Sequence, residues 1–573
     1  MLQSLFQAEI SNLGHYFRKL HFIERAQDAL TIIMFYKNKV ANVHIHEGAS
    51  DAAPGGLQAR SSGDPACLPQ DLLIQLAGYV DPWDLVRFRR VSRRWEAAFS
   101  DVYLIRRILK QEFENVREVC TMLTENTSED RRYINTNNQV LKLFDRLSCR
   151  YYHLTNGKPR SVSQIALADA SVRGPILYSV GPLDLHRSRE AGVANDVEKR
   201  LFEHAFWSYD DGFLVYPSKE HECLVAMSLE SEQISSVPFQ SDGKIVRNLR
   251  IKSGLLAIEW AEAKAFHALN DSEFVHRHFA TLYRISIPHE SAPPTITFHS
   301  EFKLHFLGLP LTERDRFFST HTSDHYAVYF WQPNRSMYTG DEENPIESLI
   351  VFNISTPSPY LPSLDPTSVS RPSSKGPSAI LSLSFRDLFY FGIRQRSSPG
   401  LMSLRIDSDA KLLEIYENIK DYTAGYFDPA DRSYRSSITG IPFEGYFPHH
   451  YISDPLLNLP PYMGNCSMES DEDLWDQSET WFENWFNVID RRSGVMFSLT
   501  RTMFKGIVLG GITDSREGDA GNWSLIRVRA MGREKSMDEK WAKLVIGTKG
   551  KLAGDERWLI GEAEGMLNVL RFN

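Results

Sequence analysis

The sequence predicts a multidomain α plus all-β protein: an N-terminal helical unit followed by a large all-β domain whose best fit is a β-propeller. Three observations carry this. Helix-cap signals crowd residues 66–155, where no hairpin dipeptide occurs. From about Ile176 onward, short apolar and aromatic runs alternate with turn signals to the end of the chain. Aromatic residues make up 12% of the sequence, with 33 Phe, 23 Tyr and 11 Trp, and such side chains suit pleated, two-sided surfaces.

In chain order, residues 1–46 read as a partly helical N-terminal extension, with Leu13, Phe17, Leu20 and Ile23 near a helical period. Residues 47–65 are small and rich in Gly, Ser and Pro, a composition that cannot bury enough surface to order itself, and read as a linker. Residues 66–113 form the compact helical unit, and 114–170 a helical connector. Residues 171–573 form the β-domain, with strands expected at Phe213–Tyr216, Leu255–Ile258, Tyr326–Trp331, Ser348–Ile354, Val495–Leu499, Leu525–Val528, Trp558–Ile560 and Leu567–Phe572. A sandwich or small barrel closes within fewer residues, so this length of strand texture favours a propeller, although no repeat signature is visible. The Pro- and Ser-dense stretch 355–378 reads as a flexible insertion, and 467–483 carries seven acids and no base. The run Leu567–Phe572 is expected to share a blade with a strand near Ile176–Val180.

Charge excludes some functions. With 64 Lys+Arg against 73 Asp+Glu, the formal charge of −9 leaves no nucleic-acid footprint. Five scattered cysteines form no C-x-x-C pair, which argues for a reducing compartment. The longest mostly apolar run near the N-terminus, Leu30–Tyr36, is far shorter than the ~20 residues a membrane helix needs. The expected location is the cytosol, the nucleus or both.

The informative segment runs from Leu68 to Arg107. Pro69 suits the opening of a helix that carries Leu72, Leu73 and Leu76 at helical spacing, with Tyr79 and Val80 one turn on. Asp81-Pro82-Trp83-Asp84 is a second start, with Asp81 as N-cap and Pro82 in the first turn, and Leu85, Phe88 and Val91 share the face that follows. Ser92 can cap a third helix with Trp95 and Phe99, and Ser100-Asp101 a fourth with Leu104, Ile105 and Ile108. So small a helical unit leaves apolar surface open and needs a partner.

This segment resembles the F-box, which opens on Leu-Pro, carries Asp-Pro-x-Asp-Leu in the middle and continues with Val-Ser-Arg-x-Trp. All three pieces are present as Leu68-Pro69, Asp81-Pro82-Trp83-Asp84-Leu85 and Val91-Ser92-Arg93-Arg94-Trp95. Ala77 and Ile105 depart from the family's usual bulky aliphatic and Trp. The resemblance implies a Skp-type adaptor as partner, held through Leu68, Pro69, Leu72, Leu76, Val80, Leu85, Val91 and Trp95, and through it cullin and RING subunits. Segments 144–162, 276–286, 313–336 and 554–564 are similar to long fungal F-box proteins with a propeller-like C-terminal domain that presents a target protein.

Other chemistry is weakly signalled. His276/His278, His44/His46 and His449-His450 have no further ligands at suitable spacing, so no metal or other cofactor is expected. Asp210-Asp211 precedes Gly212 and reads as a turn, and Gly547–Lys551 likewise. The arginines between Arg87 and Arg107 read as a solvated helix face. Trp331, Asn334 and Arg335 combine groups suited to a recognition loop, although strand-end packing is the plainer role for this run. The leading reading is a non-enzymatic substrate receptor of an SCF-type ubiquitin ligase, with an unknown target protein. The alternatives are an F-box scaffold outside degradation and a carbohydrate-binding or hydrolytic propeller.

Overall fold

The computed structural model describes residues 69–125, 133–168, 206–268, 274–286, 292–309, 316–332, 346–367, 376–391, 393, 401–420, 434–443, 486–490, 494–503, 522–546 and 552–573. The expected extension 1–46, the linker 47–65 and the acidic stretch 467–483 lie outside these residues.

The helical part comprises α1 (Gln70–Ala77), α2 (Pro82–Phe88), α3 (Arg93–Phe99), α4 (Val102–Glu112), α5 (Arg117–Glu125) and α6 (Tyr133–Thr155). Val140, Phe144, Leu147, Tyr151 and Leu154 recur every three to four residues along α6 and are all buried, so one stripe of this helix is core.

The chain then forms six antiparallel sheets arranged as the blades of a propeller. Strand β1 (Ser161–Ala166) comes first and joins the last blade. Blade 1 holds β2 (Ser208–Asp210), β3 (Phe213–Pro217), β4 (Leu224–Ser228) and β5 (Ile234–Ser236). Blade 2 holds β6 (Lys244–Lys252), β7 (Leu255–Glu262), β9 (Phe274–Ser286) and β10 (Thr295–Leu309), with the short β8 (His267–Ala268) against β9. Blade 3 holds β11 (Arg316–His321), β12 (His325–Gln332), β13 (Ile346–Asn353) and β14 (Ser378–Ser384), followed by α7 (Phe385–Tyr390). Blade 4 holds β15 (Leu401–Asp407), β16 (Leu412–Lys420) and β17 (Tyr434–Pro442). Blade 5 holds β18 (Phe486–Asp490), β19 (Val495–Met503), β20 (Asn522–Ala530) and β21 (Arg533–Ser536), and α8 (Glu539–Val545) follows. Blade 6 holds β22 (Leu552–Gly554), β23 (Trp558–Ala563), β24 (Met566–Arg571) and β1, in that order. The first strand of blade 1 touches the first strands of blades 2 and 6, which places these strands on the inner side of the ring.

Burial on both faces explains the unbroken apolar runs in the sequence. On β12, Ala327, Tyr329 and Trp331 enter the core between blades 3 and 4, while Tyr326, Val328 and Phe330 enter the core between blades 2 and 3. On β24, Leu567 and Val569 face blade 1, while Leu570 turns the other way, joined by Phe572 just beyond the strand. Alternating side chains thus fill two different cores, as the two-residue strand period requires. Tight turns follow the signalled dipeptides: Asp211-Gly212 and Ser253-Gly254 both take positive φ, which Gly tolerates without strain.

Three expectations need correction. The β-domain begins at Ser161 and not at 171, because β1 pairs antiparallel with β24 from Ser161↔Arg571 to Ala166↔Met566. The C-terminal run does share a blade with a strand from the start of the domain, but that strand is β1; residues 176–180 lie outside the described residues. The stretch 355–378 is not a loose insertion over its described part. The Ser358 N–H donates to the His299 carbonyl at 2.9 Å, the Ser363 N–H donates to Glu301 Oε1 at 3.0 Å, and Arg277 donates to the Ser363 carbonyl at 3.2 Å. Residues 355–367 therefore run as a strap from blade 3 over the outer strand of blade 2, satisfying part of an edge that would otherwise stand open.

Two predictions follow from this packing. Phe572 is fully buried just beyond β24, its ring tilted against Phe497 of blade 5 at 5.9 Å, so Phe572→Ala should lower stability by about 3–5 kcal/mol, measured by urea denaturation. The second concerns His321, buried between blades 2 and 3 with Nε2 bonded to the Leu255 carbonyl at 3.0 Å. Burial pushes its pKa down from 6.5 to about 3, with nearby Arg250 adding to the effect. The unfolded chain then binds more protons than the fold at this site, so stability falls as pH drops from 6.5 toward 3. His321→Gln should flatten that slope in urea melts run across this range, relative to the unsubstituted protein.

Candidate functional site

The sequence builds the N-terminal helices by caps, and the structure uses nearly every one of them. Asp81 accepts from the Trp83 N–H at 3.0 Å at the start of α2, with Pro82 in its first turn. Ser92 accepts from the Trp95 N–H at 3.2 Å for α3, and Asp101 accepts from the Leu104 N–H at 2.9 Å for α4. Each bond satisfies a donor that a helix start leaves orphaned. Pro69 stands at the N-cap of α1, with φ −51° and ψ 142°, and its carbonyl accepts from Leu72 and Leu73.

These short helices have two faces. Leu73, Ala77, Leu85, Phe99, Leu104, Ile105 and Ile108 point inward and are buried. Pro69, Leu72 (42% exposed), half-buried Leu76 and exposed Tyr79 follow one another at spacings of three, four and three, so they form an apolar stripe beside the buried Leu73–Ala77 pair. Val91 and Tyr103 are each 62% exposed. Trp95 is half-buried, its ring edge-on to Phe88 at 5.4 Å and tilted against Phe99 at 5.5 Å. Val80 is half-buried against the same core.

Of the residues assigned to the adaptor contact, Pro69, Leu72, Leu76, Val80, Val91 and Trp95 thus keep surface on these helices. Leu85 does not: it is 0% exposed and belongs to the internal core, since its face of α2 packs inward. Leu68 lies outside the described residues. On the β-domain, Trp331 is buried in the core between blades 3 and 4 and offers no recognition surface, while Asn334 and Arg335 lie outside the described residues. Tyr103 escaped notice in the sequence, although its offset from Leu104, Ile105 and Ile108 on a helical wheel marks it as outward.

The arginine cluster also divides. Arg90, Arg93, Arg94 and Arg107 are exposed, as a solvated face requires. Arg89 instead reaches α6, bonded to Asp145 at 2.5 Å and to the Phe99 carbonyl at 2.9 Å, with its guanidinium over the Phe144 ring. Arg87 sits over the rings of both Trp83 and Tyr152. Asp81, besides capping α2, pairs with Arg533 of blade 5 at 3.2 Å. The helical unit is therefore fastened to α6 and to the ring, while its apolar stripe stays open to solvent.

Nothing among the described residues suggests a metal centre: no group of His, Cys, Asp or Glu is placed to hold an ion. His276 is buried with Nδ1 at 2.7 Å from the Glu262 carbonyl; His44, His46, His449 and His450 lie outside the described residues. Asp210 and Asp211 occupy the β2–β3 turn, as expected, where Asp210 accepts from the Ser253 N–H at 2.5 Å. No helix of the described residues is long and apolar enough to cross a membrane.

Comparison with known proteins agrees with this anatomy at the N-terminal unit. A search of curated proteins returns no match to the chain. Among solved structures, the WD40 domain of SCAP from fission yeast aligns at 10% identity over 63% of this chain and 82% of that one, with a TM-score of 0.17. The six blades are defined by the strand pairing. Residues 65–111 match the F-box-like family model, so the open apolar stripe and its capped helices are those of an F-box-like domain, joined here to a six-bladed β-propeller.

Proposed function

We propose that this protein is a substrate receptor of an SCF-type cullin-RING ubiquitin ligase. The F-box-like helices would hold a Skp-type adaptor, and the propeller would hold the protein to be modified. One observation supports this above the rest: Pro69, Leu72, Leu76, Tyr79 and Val91 stay open to solvent or half-open, while the other face of the same helices is built into a shared core with the ring. So small a helical unit cannot cover these residues by itself, and an exposed apolar surface of this kind marks a protein contact. The role is positional and not chemical. Holding a target beside a loaded conjugating enzyme raises its effective concentration there, and no catalytic group of this chain is required. Such a receptor acts in the cytosol or the nucleus, where cullin complexes meet their targets.

The test is capture of a purified Skp-type adaptor by the full chain. Leu72→Asp places a charge in the apolar stripe at an exposed position, so the fold should persist while affinity falls roughly tenfold or more. Phe266→Asp, at an exposed position on blade 2, should leave capture unchanged. Undiminished capture by a folded Leu72→Asp protein sinks the receptor reading. Co-purification of the adaptor without cullin would instead favour a scaffolding role outside degradation.

A further inference from the structure

We infer that a chain of ion pairs couples α5 and α6 to the seam where the propeller ring closes, so that the seam and these two helices open together and not independently. The ring closes through blade 6, which is assembled from β1 near one end of the propeller and β22–β24 at the other. Blade 1 and blade 6 then meet across a single interface. There Arg557, on the β22–β23 turn, donates to Asp555 at 2.7 Å, to Asp211 of blade 1 at 2.7 Å and to Glu230 of blade 1 at 3.4 Å. Tyr209 of blade 1 donates to Asp555 at 2.7 Å, and Trp207 donates to Glu562 of β23 at 3.1 Å.

The helices enter the same network. Arg117 at the start of α5 donates to Asp211 at 2.7 Å, the carboxylate that Arg557 also holds. Next to it, Glu118 pairs with Arg150 of α6 at 3.0 Å. Arg150 is 1% exposed; it also pairs with Glu556 of the β22–β23 turn at 3.6 Å and donates to Asn573 at 3.3 Å. The circuit therefore runs from α5 to blade 1, to blade 6, to α6 and back to α5. Burial pushes the Asp211 carboxyl up, but Arg117 and Arg557 outweigh it and hold it below the usual range. An opening that separates blade 1 from blade 6 parts Arg557 from Asp211 and Glu230 and, because α5 is held to α6 through Glu118–Arg150 and α6 to blade 6 through Arg150–Glu556, parts Arg117 from Asp211 as well.

Coupling of this kind is reciprocal: whatever favours the docked helices favours the closed seam, and the converse. The coupling stands apart from the receptor reading.

The test is hydrogen exchange of the full chain. Arg117→Ala removes a half-exposed link without opening a core. Amides of α5–α6, of the β1–β24 pair and of β2–β3 should then exchange faster by a common factor of about three or more, while β12–β13 of blade 3 stays unchanged. Arg405→Ala breaks a comparable pair with Glu414 in blade 4, and should leave the helices and the seam untouched. Raising salt from roughly 0.05 M to about 1 M, which shortens the screening length to ~3 Å, should reproduce the Arg117→Ala pattern in the unsubstituted protein. Faster exchange confined to α5, or spread equally into β12–β13, overturns the coupling. Failure to capture an adaptor leaves this result standing, so the two readings fail separately.

Discussion

The whole molecule depends on the pairing of β24 with strands from both ends of the propeller. Its neighbour on one side is β23, the preceding strand, and on the other β1, which lies some 400 residues earlier in the chain. Without β1, no backbone ladder would join the start of the propeller to its last blade, and the ring would hold only by side-chain contacts. Because β1 begins directly after α6, the same pairing fixes that helix against the ring. Arg160 donates to the Asn573 carbonyl at 3.2 Å and Arg150 to its side chain, so the residues flanking both strands are tied as well. The N-terminal helices are consequently part of the propeller's outer wall. A single core contains Leu73 and Leu85 of the F-box-like domain, Phe144 and Tyr151 of α6, Phe497 and Ile526 of blade 5, and Leu570 and Phe572.

Between blades the cores are apolar, and the core between blades 2 and 3 also carries polar groups bonded across strands. Glu259 of blade 2 accepts from Tyr326 of blade 3 at 2.8 Å and from Ser319, whose carbonyl in turn receives Arg250. Within blade 2, Trp260 donates to Thr281 at 2.8 Å, and Thr281 donates to Glu301 at 3.0 Å. A buried carboxylate is costly without such donors, so these contacts accept only one arrangement of neighbouring blades. Apolar alternation makes the blades stack; the buried polar pairs set how they stack.

Most of this was legible from local chemistry. Every strand expected from a turn dipeptide and an apolar run is a strand, and the caps at Asp81, Ser92 and Asp101 all form. What the sequence hid was long-range. Residues 161–166 read Ser-Val-Ser-Gln-Ile-Ala, too short and polar to announce a strand, because an outermost strand buries only one edge and little side-chain surface. The strap 355–367 has the composition of a loose loop, and its order comes from backbone donors and acceptors that meet His299, Glu301 and Arg277, which no local pattern encodes. Trp331 could serve recognition or strand-end packing, since aromatic residues do both, and its burial between blades 3 and 4 assigns it to packing, the plainer of the two readings. The stripe from Val140 to Leu154 was readable, since its spacing is regular, but its destination on blades 5 and 6 was not.

The attachment of the F-box-like domain has a consequence for the proposed role. A receptor that works by proximity gains from a stiff link, because a flexible tether spreads its target over a large volume and lowers the effective concentration at the reacting centre. A helical connector over 114–170, as the sequence suggests, sets a distance but leaves its angle to both neighbours open. The structure instead fixes α2 to α6 through Arg89–Asp145, to blade 5 through Asp81–Arg533, and α5–α6 to the ring through Arg117 and Arg150. Surface ion pairs are individually weak, at ~0–1 kcal/mol, and could not hold two domains in one orientation by themselves. Here they ring a continuous apolar core, which supplies the adhesion, while the charges select the angle. A target bound anywhere on the propeller would then stand at a set distance and direction from an adaptor on the Pro69–Tyr79 stripe, and that fixed vector is what positional catalysis requires.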